Sequence, residues 1–302
     1  MTRYRVSAKI SDKPGTVEFS RRLERQGLLS AKGKVFTPTG FGFLLFGEKP
    51  REVIHQAGLN VTIEYPDGKH EIENFDGPAI LIPGLVEDWL ASRLPRTIDR
   101  SRMERRERAA LPLELVREAV INALVHRDYD IAGATCQLEV TPDTICVRSP
   151  GAPLPPVTVD QLQAFSAQMY NRNPKLQFAF MGAKLVEGRG LGMKTFRAAA
   201  EKHGLPSPKF TFDGVYLNLT IYRHVRAAVA ALGSKLLDAL SADEKIGWEY
   251  LVTRASVKRV EYEKYMNIDK RTAHRHLQRF IKLKLLRKVG ASTSTEYKVQ
   301  KP

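Results

Sequence analysis

Residues 135–148 alternate apolar and polar side chains on either side of Pro142-Asp143, and residues 210–221 repeat the scheme across Asp213-Gly214. Each run buries only one face, so the chain must form antiparallel hairpins and lay helices over the buried side. Suitable helices are at hand. Leu113–Arg127 holds good helix formers behind Pro112, a residue that the first helical turn tolerates. Shorter helical stretches lie at Asp160–Met169, Lys175–Lys184 and Thr195–His203, the last stopped by Gly204. The fold class is α+β. Val215, Leu217, Leu219 and Ile221 are expected on one strand face.

Punctuation divides the 302 residues into three regions, with no visible internal repeat and no low-complexity tract. Residues 1–110 read as a small α+β region. It opens with a basic amphipathic helix over Val17–Leu29, followed by a short strand at Lys34-Val35-Phe36. The turn Thr37-Pro38-Thr39-Gly40 then caps a helix over Phe41–Phe46. Leu59–Tyr65 and Lys69–Phe75 flank the hairpin signal Pro66-Asp67-Gly68, and a helix spans Leu85–Arg93. Arg96–Arg108, with six arginines and little that is apolar, reads as a connector. Residues 111–225 form the central domain described above. Residues 234–302 are helical over Ser234–Leu240, Asp243–Thr253, Val257–Met266 and Thr272–Leu285, and end in a ribbon of Leu286–Val289 and Tyr297–Val299.

Composition excludes several classes. No apolar run approaches the length of a membrane span, and two cysteines, Cys136 and Cys146, cannot build a disulfide framework or a four-cysteine zinc site. Both read as buried thiols on neighbouring strands, and Trp89 and Trp248 as core residues. A soluble, cytoplasmic chain is predicted. The net charge is +15, and eight of those excess positive charges fall in residues 234–302. A local surplus of that size marks a surface for a polyanion, most often nucleic acid, although a solvated face carries charge too.

The densest polar pattern is Glu114, Glu118, Asn122 and His126, four residues apart. On a helix they share one stripe, opposite Leu113, Val116, Val120 and Ala123. An acid and an amide in line can activate water and hold a hydrated Mg²⁺, and the same stripe suits an ordinary exposed face. Gly188-Arg189-Gly190-Leu191-Gly192 opens a helix, where backbone N–H groups can approach an anion; a structural turn explains it equally well. It is neither a dinucleotide fingerprint nor a P-loop. Ser149-Pro150-Gly151-Ala152-Pro153-Leu154-Pro155 must turn sharply after a strand, and Asn171-Arg172-Asn173-Pro174 precedes a helix.

Arg117–Tyr129, Ser149–Pro155, Arg172-Asn173-Pro174, Gly188–Met193 and Gly204-Leu205-Pro206, in that order, resemble the C-terminal domain of the RecG-like helicase family, a divergent member of the GHKL fold of gyrase B, Hsp90, histidine kinases and MutL. The resemblance implies a GHKL-type α/β sandwich that takes ATP and Mg²⁺. Glu118 would be the catalytic acid that polarises water and Asn122 the metal ligand. Asn122, His126, Gly151, Gly188, Arg189, Gly190 and Gly192 would line the cofactor site. The family's Asp-x-Gly-x-Gly box stands here as Ser149–Pro153, without the aspartate and with a proline for the second glycine. No helicase motor is present, since that needs paired P-loop domains. Thr37–Pro50 resembles the end of the Schlafen/AlbA-like domain that precedes the GHKL domain in such proteins.

Residues 234–302 resemble a winged helix-turn-helix. Ala273, Leu277, Phe280 and Ile281 would face its core, while Lys270, Arg271, Thr272, His274, Arg275, Gln278, Arg279 and Lys288 would face double-stranded DNA. His274 and His276, two apart, point to different faces and make a poor metal pair. The expected function is a DNA-binding, homodimeric regulator with a nucleotide-sensing domain. The alternatives are a Mg²⁺-dependent ATPase acting with DNA, and a defence-related or protein-docking module.

Overall fold

The computed structural model describes residues 2–94, 97–99, 106–108, 113–168, 170–186, 192–254, 256–290 and 295–300. The chain divides into two compact units, Met1–Lys194 with Phe210–Leu219, and Thr195–Lys209 with Thr220–Pro302.

The first unit begins with α1 (Thr2–Ser7) and α2 (Val17–Arg25), followed by the hairpin β1 (Leu29–Lys32) and β2 (Val35–Pro38), and α3 (Gly40–Phe46). Thr16 caps α2 by accepting from the Phe19 N–H, and Phe19 and Leu23 are buried beneath the helix. The helix stops short of the expected Leu29. Gly27 takes a positive φ of 71°, and Leu29 starts a strand instead. Thr39 caps α3 as expected.

The hairpin β3 (Leu59–Glu64) and β4 (His70–Phe75) leads through α4 (Ile82–Arg93), the short pair β5 (Thr97–Asp99) and β6 (Arg106–Arg108), and α5 (Leu113–His126) to β7 (Cys136–Val140) and β8 (Thr144–Pro150). Then come α6 (Val159–Gln163), α7 (Pro174–Gly182), α8 (Gly192–Lys202), β9 (Lys209–Phe212) and β10 (Tyr216–Tyr222). One mixed six-stranded sheet results, in the order β4-β3-β7-β8-β10-β9, with β3 parallel to β7 and both hairpins antiparallel. Two helices between β4 and β7 allow that parallel pairing, which no tight turn could connect. Strands β3 and β4, from residues 1–110, thus share one sheet with β7 and β8.

Period-two patterning sets the two sheet faces. Leu59, Val61 and Ile63 of β3, Leu138 and Val140 of β7, and Ile145 and Val147 of β8 are buried, while Asn60, Thr62, Gln137 and Glu139 alternate with them. α5 packs on β7 and β8 and also on α4, so its burial extends past the expected stripe to Leu115, Ala119, Ile121, Leu124 and Val125. Each of the leucine, isoleucine and valine side chains contributes about 1.5–3 kcal/mol by leaving water.

Several expectations shift. The helix expected over Asp160–Met169 ends at Gln163, because Phe165 turns with φ 53°. Arg96–Arg108 lies mostly outside the described residues, yet its ends pair as β5 and β6 where a loop was expected. Val215 is 46% exposed, so the expected strand face is buried only from Leu219 onward. Cys136 is buried, which pushes its thiol up to about 11, whereas Cys146 is only half-buried.

In the second unit, α9 (Val225–Ala230) and α10 (Ser234–Asp238) precede α11 (Ala242–Val252), α12 (Arg259–Met266), α13 (Lys270–Lys282) and the antiparallel pair β11 (Leu286–Val289) and β12 (Glu296–Val299). Its core gathers Trp248, Leu251, Tyr262, Ala273, Leu277, Phe280, Leu285 and Tyr297. α12 starts at Arg259, later than expected, because Val257 bridges to Tyr297. α13 starts earlier, at Lys270, because Asp269 accepts from the Arg271 and Thr272 N–H groups as its cap. It ends at Lys282, before the left-handed Lys284. The expected tip Ala291–Thr295 lies outside the described residues except for Thr295.

Candidate functional site

Glu114, Glu118, Asn122 and His126 do form one stripe along α5, with Glu114 exposed and the other three half-buried. The Asn122 amide Nδ2 donates to Glu118 Oε1 at 3.2 Å. An amide oxygen and a carboxylate are donor types that Mg²⁺ accepts, taking one or two protein oxygens and filling the rest of its shell with water and phosphate. Among the described residues no cluster of three or more His, Cys, Asp or Glu side chains is poised to hold a metal unaided. Burial, aided by the nearby Arg172 cation, holds His126 below its ordinary pKa.

At the C-terminal end of α5 the chain must satisfy carbonyls that have no partner within the helix. Three sequence blocks meet there. Ser149 Oγ donates to Ala123 O at 2.9 Å, Tyr129 Oη to Leu124 O at 3.0 Å, and Asn173 Nδ2 to Val125 O at 2.9 Å and Arg127 O at 2.7 Å. Arg172 joins the same knot, donating to Asp128 Oδ2 at 2.7 Å and to Ala152 O at 2.8 Å. The fully buried Arg127 donates to the Ala134 and Ile131 carbonyls and lies over the Tyr129 ring. Gly151 sits against this knot with φ 112°, and a Cβ there would come 2.7 Å from Asp128 Cβ. No residue but glycine suits both the dihedral and the gap.

The adenine-reading end of the implied pocket therefore differs from the phosphate end. Where the resemblance would put an aspartate, Ser149 is 8% exposed and its hydroxyl is committed to Ala123 O. Of the expected phosphate-binding glycines, Gly192 is the first residue of α8, while Gly188, Arg189 and Gly190 lie outside the described residues. Sequence reasoning singled out the blocks at Arg117–Tyr129, 149–155 and 171–174 but did not see that Tyr129, Ser149 and Asn173 cap α5 while Arg172 and Asp128 join across them. Asn before Pro at a helix start was the visible signal.

In the second unit, Ala273, Leu277 and Phe280 pin α13 to α11 and α12, with the Trp248 and Phe280 rings 5.7 Å apart. The opposite side exposes Lys270, Arg271, His274, Arg275 and Gln278, continued by Arg287 and Lys288 on β11. Thr272 is half-buried and its hydroxyl donates to Asp269 at 2.7 Å, so it serves the cap. Arg279 also has local partners, donating to Ala239 O at 2.6 Å and lying 3.5 Å from the buried Glu244 carboxylate. His274 is exposed and His276 buried, as their spacing predicts, with the His276 ring against the Tyr262 hydroxyl at 3.2 Å. A pocket of about 460 Å³ opens beside α13, where Arg275, Arg279 and Lys282 outnumber Glu244.

A mixed sheet backed by α4 and α5 defines an ATPase-like α+β domain. Residues 133–221 match the family described as "Putative ATP-dependent DNA helicase recG C-terminal". The match begins after α5, so Glu118, Asn122 and His126 precede it, whereas Gly151 and the glycine run lie within it. Among solved structures, the DIP2311 protein from Corynebacterium diphtheriae is similar over 99% of this chain, with a TM-score of 0.58 at 18% identity. At that identity the likeness is one of fold, and this chain spans 60% of the length of that protein. No curated protein sequence matches the chain. No helix among the described residues is long and apolar enough to cross a membrane.

Proposed function

We propose that this chain is a DNA-binding regulator whose C-terminal unit contacts duplex DNA through α13 and whose ATPase-like domain carries a nucleotide or another phosphate-bearing ligand. The observation that carries the DNA half is the outer face of α13. Lys270, Arg271, His274, Arg275 and Gln278 are exposed together on a helix whose other side is locked into a core. Such a helix is donor-rich and of a size that a major groove admits, and the hairpin after it adds the exposed Arg287 and Lys288. The order α11, α12, α13 and a hairpin supports a winged-helix reading, and helix-turn-helix modules commonly read paired half-sites as homodimers. Binding is tested by fluorescence anisotropy on duplex DNA, with K270Q/R271Q/R275Q as the comparison. The variant is expected to lose affinity and to flatten the salt dependence, and equal behaviour of the two proteins overturns the reading.

For the ligand half, Glu118 and Asn122 supply the metal-and-phosphate end, and Mg²⁺ held there would neutralise phosphate charge. Base recognition is weakened because Ser149 is bonded to the backbone. A sensor that binds without strong adenine selectivity follows from those two facts. A second reading, a slow Mg²⁺-dependent ATPase with Glu118 as base, is favoured by the same 3.2 Å Glu118–Asn122 contact. It requires phosphate release that disappears in Glu118→Gln.

A further inference from the structure

Two stretches with no visible sequence repeat share one hydrogen-bond scheme. At the end of α13 the Leu285 N–H donates to Phe280 O and the Lys284 N–H to Ile281 O; at the end of α2 the Leu28 N–H donates to Leu23 O and the Gly27 N–H to Glu24 O. Lys284 and Gly27 are both left-handed, with φ 58° and 71°. The next residue, Leu285 or Leu28, is 0% or 1% exposed. An antiparallel hairpin of four rungs starts directly after it in both cases, Leu286 facing Val299 and Leu29 facing Pro38. The hairpin is then closed by the same bond, from Gln300 N–H to Leu285 O at 2.8 Å and from Thr39 N–H to Leu28 O at 3.0 Å. Helix ends of this type also finish α7 and α8, at Leu185 and Leu205; the closed hairpin distinguishes the two stretches compared here.

We infer that residues 17–39 form a second helix-and-hairpin module, and that its hairpin tip contacts the phosphates of duplex DNA. This rests on the reading that the chain engages duplex DNA. Residues 1–39 hold nine lysines and arginines against three acids. On α2 the charges are partly consumed, since Arg21 pairs with Glu24 and Arg22 with Asp12. A helix bearing Glu18 and Glu24 is a poor reader of base edges. The tip differs: Lys32 and Lys34 are exposed on either side of Gly33, and neither makes an ion pair among the described residues. Two exposed ammonium groups on one turn suit phosphate, which positions a protein on DNA without reading sequence. Thr39 fastens the base of the hairpin, its hydroxyl donating to Gly27 O at 2.7 Å.

The test is anisotropy of the full chain on a duplex of arbitrary sequence over a range of salt concentrations. Each phosphate neutralised contributes about −0.9 to the slope of log K against log salt. K32Q/K34Q is expected to make that slope shallower by roughly 1 to 2, without changing the preference between different duplexes. The control K49Q/K69Q removes the same charge elsewhere on the surface and should leave the slope as it is. An unchanged slope in K32Q/K34Q, or an equal effect in the control, overturns the second contact. If K270Q/R271Q/R275Q still loses affinity, the reading of α13 stands without it. Salt-independent behaviour of the wild-type chain overturns both.

Discussion

Arg172 and Asp128 lie 44 residues apart in sequence and form an ion pair at 2.7 Å, with each side chain only 22% exposed. The same guanidinium donates to Ala152 O, so one residue ties the end of α5 to the turn after β8 and to the start of α7. Removing one partner strands the other in a poorly hydrated place. Arg172→Met is expected to cost about 2 kcal/mol, and a lysine should not restore it, since one ammonium cannot reproduce the two-pronged bond. Thermal unfolding of Arg172→Met and Arg172→Lys checks both statements.

Asn122→Ala should leave the fold intact, because Asn122 is half-buried and its amide bonds to Glu118, one turn away on the same helix. It should nevertheless abolish Mg²⁺-dependent nucleotide binding. Glu118→Gln should keep binding. Calorimetric titration of both variants, with circular dichroism as the fold check, separates these outcomes. Binding by Asn122→Ala equal to wild type would remove α5 from the ligand site.

Acid should weaken the protein through two histidines. Burial lowers the pKa of His126, with the Arg172 cation adding to it, and burial also lowers that of His276 despite the opposing pull of Glu244. The unfolded chain takes up these protons near pH 6.5 and the folded chain resists them. Their contribution is therefore whole above about pH 6.5 and is lost as the pH falls from there through the lowered folded values. Calorimetric Tm between pH 8 and pH 5 should drop less in H126N/H276Q than in the parent protein.

Gly42 offers a steric test. A Cβ at this position would lie 1.9 Å from Leu28 O, the carbonyl that closes the first hairpin. Gly42→Ala should cost about 1–3 kcal/mol by forcing α3 off that backbone. Denaturant unfolding reads the loss directly.

Much of this architecture was legible in local chemistry. Thr39 as a cap, the hairpins around Pro66-Asp67-Gly68 and Pro142-Asp143, and the buried face of α13 all follow from short-range patterns. What was not legible is long-range. Nothing in Leu59–Ile63 says that its partner in parallel is Cys136–Val140, because period-two burial specifies a face and not a neighbour. The capping of α5 by Ser149 and Asn173 joins residues 26 and 48 positions apart, which no spacing rule spans. The kinship of residues 17–39 with the end of the chain was hidden for a related reason. It resides in backbone bonds to Leu28 and Leu285, and glycine at one left-handed corner is lysine at the other.

If the ATPase-like domain regulates DNA binding at α13, as proposed, ligand in that domain and DNA must alter each other's affinity. The direct measurement is the DNA dissociation constant of the full chain at fixed salt, with and without saturating Mg²⁺-ATP, repeated on Asn122→Ala. Coupling between two sites typically changes affinity about 5- to 150-fold, and it is reciprocal. The account predicts a change within that span in the wild-type chain and none in Asn122→Ala. A DNA affinity that Mg²⁺-ATP leaves unchanged in the wild-type chain would contradict it.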